Sequence, residues 1–217
     1  MMIVKGNQGV DIPRLEAGVY TAYSSMLVDL GVQRSEKFNK EIRKFRIIWT
    51  VSGETIEING EEYPRTISKE YSFSIGDKST LRKDLEAWRG QSFTEEELKG
   101  FELNNILNKA CQLQINVEEK DGKYYNNIAG IMGLPKGTEV KVPNTGKIFD
   151  TENPETWQNY DEVPKFMQDK IKQSIGKLEE LDKFIEEYDQ LKKEEETTSD
   201  GTNNDFVPSA TDDDLPF

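Results

Sequence analysis

The sequence predicts a mainly β fold: a five-stranded barrel with a helical insert between strands 3 and 4, then a C-terminal helix and a disordered acidic tail. Three observations carry this reading. Apolar and polar residues alternate over residues 45–51, 67–75 and 111–117, the pattern of strands with one buried face. Over residues 79–107 the apolar spacing changes to threes and fours, as helices require. Charge is segregated: residues 1–150 hold 21 Lys+Arg against 22 Asp+Glu, whereas residues 151–217 hold 7 against 19.

The elements follow in order. Residues 18–28 are rich in aromatic and β-branched side chains, which favours a first strand. In the second, Phe45, Ile47, Trp49 and Val51 share one face and Arg46, Ile48 and Thr50 the other; residues 54–58 extend it or form a separate strand before the Asn59-Gly60 turn. In the third, Ile67, Tyr71, Phe73 and Ile75 share a face that only Lys69 interrupts. Leu81, Leu85 and Trp88 then mark a helix stopped by Gly90. Thr94 and Glu97 form the capping box of a second, shorter helix. Cys111, Leu113, Ile115 and Val117 give the fourth strand, and an Asp121-Gly122 turn leads to the fifth over residues 124–132.

Three strands, a helical insert and two strands is the order of an oligonucleotide-binding (OB) barrel, whose strand face and long loops hold single strands or sugars. Residues 134–159, with Pro135, Pro143 and Pro154, read as irregular wrapping or linker. Ile171, Ile175, Leu178, Leu181, Ile185, Tyr188 and Leu191 recur mostly at threes and fours, predicting one amphipathic helix that Gly176 weakens. It is expected to lie on the barrel or fray into solvent rather than form a dimerising coiled coil, since sustained heptads are missing. The expected organisation is an OB-type domain over 1–160, the helix over 161–193 and the tail over 194–217.

Composition removes several functions. The sole cysteine, Cys111, and the absence of histidine exclude an intrachain disulfide, a thiolate metal site and imidazole catalysis. No nucleophile–base pair stands out and residues 76–80 lack the spacing of a phosphate loop, so a non-enzymatic protein without cofactor or bound metal is expected. Residues 1–10 carry no apolar run flanked by basic residues, and no stretch reaches about 18 apolar residues. A cytoplasmic location without membrane association is expected.

The most basic stretch is residues 34–46, with six basic residues against two acidic. Arg34, Lys37, Lys40, Arg43, Lys44 and Arg46 are interleaved with Phe38 and Phe45, the mixture that follows a phosphate backbone while offering rings to bases. It joins strands 1 and 2, a loop that OB barrels commonly use for ligands. Trp49, Tyr71 and Tyr125 are the further stacking candidates; the first two share faces with core residues, and Tyr124 and Tyr125 alternate faces beside a turn, so that one of them is exposed.

The chain ends Asp212-Asp213-Asp214-Leu215-Pro216-Phe217. This tip resembles the end of bacterial and phage single-stranded-DNA-binding proteins, which close an acidic tail with an aspartate run, an aliphatic residue, Pro and Phe. The segments LRKDLEAWRG, FELNNILNKACQLQI and GKYYNNIAGI, within residues 81–132, are similar to phage-encoded OB-fold proteins of that class. The resemblance implies sequence-tolerant binding of single-stranded DNA in replication or recombination, with replication or recombination proteins recruited by Asp212 to Phe217. The tip has its own physics: Phe217 can enter an apolar pocket while the aspartates steer toward a basic rim. A homo-oligomer is compatible with this reading. The alternative is an OB-like protein-interaction or structural phage module that binds no DNA.

Overall fold

The structure is a computed structural model and describes residues 14–35, 39–58 and 60–198. Its framework is a curled, antiparallel five-strand sheet shaped as a half-barrel. The strands are β1 (Gly18–Ser35), β2 (Lys40–Ile58), β3 (Glu61–Ser72), β4 (Ala110–Lys120) and β5 (Lys123–Met132), in the spatial order β3-β2-β1-β4-β5. A short β6 (Lys147–Phe149) runs parallel to β1. Between β3 and β4 lie α1 (Thr80–Arg89), α2 (Glu95–Lys99) and the 3-10 turn Leu103–Ile106. After β6 come the 3-10 segment Pro154–Glu162, α3 (Lys165–Lys172) and α4 (Glu179–Thr198).

The long β1 organises the sheet. It pairs with β4 from Gly18 to Tyr23, with β2 from Ala22 to Ser35, and with β6 at Met26 to Val28. Register shifts at Ser24/Met26 and Asp29/Gly31 bend it, as an extra residue in one strand does. The curl brings β3 toward β5, where Lys69 bridges the gap: Nζ donates to the Ile128 carbonyl at 3.3 Å and pairs with Asp84 at 2.9 Å. The single polar residue in the β3 pattern is thus a tie across the sheet.

Two cores result. Inside the curl, Phe45, Ile47, Trp49 and Val51 pack with Ile67, Tyr71, Cys111, Leu113, Ile115 and Ile128, closed by Leu81, Leu85 and Trp88 of α1. Trp88 Nε1 donates to the Ala110 carbonyl at 2.8 Å, fixing α1 to the start of β4. The caps agree with the sequence: Gly90 ends α1 at φ 70°, and Thr94 and Glu97 form the capping box of α2.

The second core lies on the outer face of β1 and β2, where Met26, Val28, Leu30 and Ile48 meet Phe149, Trp157, Tyr160, Met167, Ile171, Leu181 and Ile185. Residues 134–159 are therefore more than linker, because they deliver Phe149 and Trp157 to this core and lead directly into Tyr160. The C-terminal helix also departs from expectation. It is two helices, separated at Gly176 with φ +67°, a left-handed conformation that halts helix propagation. No helix among the described residues is long and apolar enough to cross a membrane.

Candidate nucleic-acid interface

The predicted basic stretch forms the hairpin between β1 and β2, and the structure divides its cations. Arg34 and Lys40 are exposed near the tip, and Arg34 Nη2 donates to Asn39 Oδ1 at 3.2 Å. Lys37 and Phe38 lie outside the described residues.

Arg43 belongs to the face of β2 that also carries Phe45, and it is held by carboxylates. It reaches Asp29 at 2.8 Å, Glu152 at 2.8 Å and Asp150 at 3.3 Å, and lies 4.8 Å over the Phe73 ring. Burial works against its charge, but Asp29 and Glu152 outweigh burial and raise its pKa further. Asp29 is itself saturated: Thr151 donates a side-chain hydrogen bond, and the Gly31 amide donates at 3.0 Å. Arg43 ties the β1–β2 hairpin to the turn after β6.

Lys44 and Arg46 face the other way and converge on Glu70. Lys44 lies 2.6 Å, Lys170 3.1 Å and Arg46 3.6 Å from its oxygens. Arg46 is fully buried, donates to Ser68 Oγ at 2.9 Å and sits 5.0 Å from the Phe166 ring. Burial pushes the Glu70 carboxyl up, yet Lys170, Lys44 and Arg46 together hold it below the usual carboxylate range. Of the three cations expected to offer charge to a phosphate backbone, Arg46 is buried beneath α3 and cannot reach a ligand, whereas Arg43 and Lys44 are partly exposed and paired with carboxylates of the fold.

The stacking candidates divide as well. Trp49 is 0% and Tyr71 3% exposed, so neither presents a ring face; Tyr71 donates to Asp84 at 2.8 Å, and burial with Asp84 raises its pKa well above 10.0. These two belong to the inner core. Tyr125, half-buried, stands opposite Glu118 on the β4–β5 hairpin. Its neighbour Tyr124 is 47% exposed, and Lys123 beside it is also exposed. Asp212, Asp213, Asp214, Leu215, Pro216 and Phe217 lie outside the described residues.

Sequence reasoning missed Phe73 as a surface ring. β3 ends at Ser72, so the alternation that marked Phe73 as core runs past the strand, leaving the ring 43% exposed. Phe73 borders a cleft of about 380 Å³ lined by Leu27, Phe45, Leu98, Phe101 and Phe149, with Asp29 and Asp150 at its wall. Among the described residues no three His, Cys, Asp or Glu side chains gather as a metal-holding group. Cys111 is buried in the inner core, which pushes its thiol up to about 12 and keeps it protonated. No family model matches the chain, and no curated protein matches it.

Proposed function

We propose that this chain is a sequence-tolerant single-stranded-DNA-binding protein with an OB-type barrel, acting in DNA replication or recombination. The observation that carries the reading is the strand order β3-β2-β1-β4-β5 with α1 inserted between β3 and β4, the connectivity of OB barrels. Charge distribution supports it: nearly balanced charge over residues 1–150, with the surplus negative charge downstream. With Arg43, Lys44 and Arg46 paired to carboxylates of the fold, contact with phosphates falls to Arg34 and Lys40 near the hairpin tip, together with Lys37 of the same basic stretch. Tyr124 and Tyr125 of the β4–β5 hairpin are the rings placed for stacking. The tip Asp212 to Phe217 recruits partner proteins in this reading.

The test is a fluorescence-anisotropy titration of labelled oligothymidine across salt concentrations, with the full chain and with a variant lacking residues 199–217. Binding should weaken steeply with salt as counterions are released. Arg34→Glu with Lys40→Glu should reduce affinity and flatten the salt slope, and Tyr124→Ala should cost about 1–3 kcal/mol if a base stacks there. Absence of binding at low salt by both chains overturns the proposal. A second reading, a protein-interaction or structural module, draws support from the internal neutralisation of Arg43 and Lys44, and that same null result would favour it.

A further inference from the structure

Four phenyl rings gather at the cleft where the sheet, the insert between β3 and β4, and β6 come together. Phe45 of β2 and Phe149 of β6 are 1% and 0% exposed and form its deep side. Phe73, 43% exposed, and the half-buried Phe101 line it nearer solvent. Polar groups are few, and two of them are available to a ligand. Among the described residues, both hydrogen bonds accepted by the Asp150 carboxylate fall on Oδ1, from Arg43 at 3.3 Å and from the Glu152 amide at 2.9 Å. Its Oδ2 is left to accept another. Asn104 also lines the cleft and is exposed, and its amide both donates and accepts. Asp29 differs, because Arg43, Thr151 and Gly31 already occupy its oxygens.

We propose that this cleft takes one amino-bearing nucleobase, such as cytosine or adenine. Size sets the first limit: about 380 Å³ is at the low end of the roughly 300–1,000 Å³ of small-molecule pockets, room for a single base with its sugar. Phenyl rings around it suit a flat aromatic ligand, because bases stack on ring faces. An aliphatic ligand brings no donor to Asp150, and covering an acceptor without a partner costs free energy. The exocyclic amino group of cytosine or adenine donates to Oδ2. Thymine offers only its N3–H, flanked by two carbonyl oxygens that the carboxylate repels. The phosphate stays outside: Asp29, Asp150 and Glu152 surround Arg43 at 2.8 to 3.3 Å, which leaves that guanidinium no charge to spare. The exposed Lys99 at the cleft is likewise paired, with Glu96 at 2.7 Å. That the base belongs to a single strand rests on the DNA-binding reading; the chemistry of the cleft does not. One such pocket within a longer footprint biases where a strand sits without making binding sequence-specific.

Two titrations of the full chain test it. In the first, NMR follows the backbone amides of Phe73, Phe101 and Phe149 as deoxycytidine, deoxycytidine monophosphate or thymidine is added. Deoxycytidine should bind at least about fivefold tighter than thymidine, and the monophosphate should gain no more than about twofold over the nucleoside. In the second, fluorescence anisotropy compares labelled oligodeoxycytidine with oligothymidine of equal length. Phe73→Ala should lower affinity for the cytosine strand at least about fivefold, and Phe73→Trp should retain it. Asp150→Asn should reduce the cytosine preference below about twofold, because an amide can turn its own N–H groups toward a carbonyl. Amide shifts that are absent, or equal for deoxycytidine and thymidine, overturn the proposal, as does a cytosine preference that survives Asp150→Asn. Oligonucleotide binding with no cytosine preference and no response to Phe73→Ala removes the cleft from the DNA site and leaves the DNA-binding reading standing. Selective deoxycytidine shifts without any oligonucleotide binding do the reverse: the cleft takes a free base, and the DNA-binding reading falls.

Discussion

Asp29 and Glu70 show how single charges are used in this chain. The Asp29 side chain is 4% exposed and Arg43 is its only ion-pair cation among the described residues. Removing one partner of a buried pair leaves the other charge poorly solvated. Arg43→Ala should therefore lower stability by about 2–4 kcal/mol in urea unfolding, moderated because Asp29 keeps its Gly31 and Thr151 hydrogen bonds. Glu70 supplies a pH prediction. Its carboxyl is held below its ordinary 4.5, so it stabilises the native state above that value, and the contribution disappears as pH falls from there through the lower native pKa. The urea midpoint should decline below about pH 4.5. In Glu70→Gln it should be lower at neutral pH and decline less over that acidic range.

Among the elements, the junction of β1 with the C-terminal segment is the tightest. Gly31 sits at φ +69°, and an added Cβ would meet Ser174 Cβ at 2.7 Å. Beside it, the Ile175 amide donates to the Val32 carbonyl at 2.8 Å. A left-handed alanine costs about 1–2 kcal/mol, and crowding a packed contact about 1–3 kcal/mol. Gly31→Ala should therefore lose about 2–4 kcal/mol by urea denaturation, whereas Gly60→Ala meets open space and should lose only the backbone part. Strand identity was legible because period two is local: Phe45, Ile47, Trp49 and Val51 are all buried as their spacing requires. Strand ends were not, and Phe73 shows why, since a side chain alternates in sequence whether or not a core lies beneath it.

Across the whole molecule, β1 over residues 26–30 and β2 over residues 45–51 are covered on both sides. Deleting residues 199–217 leaves every described residue of the second core in place, and the unfolding free energy should remain within about 0.5 kcal/mol of the full chain. Deleting residues 164–217 uncovers Met26, Val28, Leu30 and Ile48, an apolar patch of the kind that drives association. That variant should unfold with lost cooperativity and aggregate, visible in light scattering. The buried outer face also explains why part of the basic stretch turns inward. Cations at alternate positions look like a ligand-facing row, but Arg46 lies under Phe166 and Lys44 meets Glu70, partners 120 and 26 positions away in sequence.

The sequence by itself determined the mainly β class, the order of five strands with helices between the third and fourth, the caps at Gly90 and Thr94, and the segregation of acidic charge toward the end. These are legible because periodicity, turn chemistry and composition act between residues a few positions apart. The tertiary structure alone decided that residues 147–160 build a second core, that the C-terminal helix breaks at Gly176, and that Arg43, Lys44 and Arg46 turn to carboxylates within the fold. The reason is physical: a side chain's charge is written in the sequence, but its counter-ion and its burial depend on segments that only folding brings together.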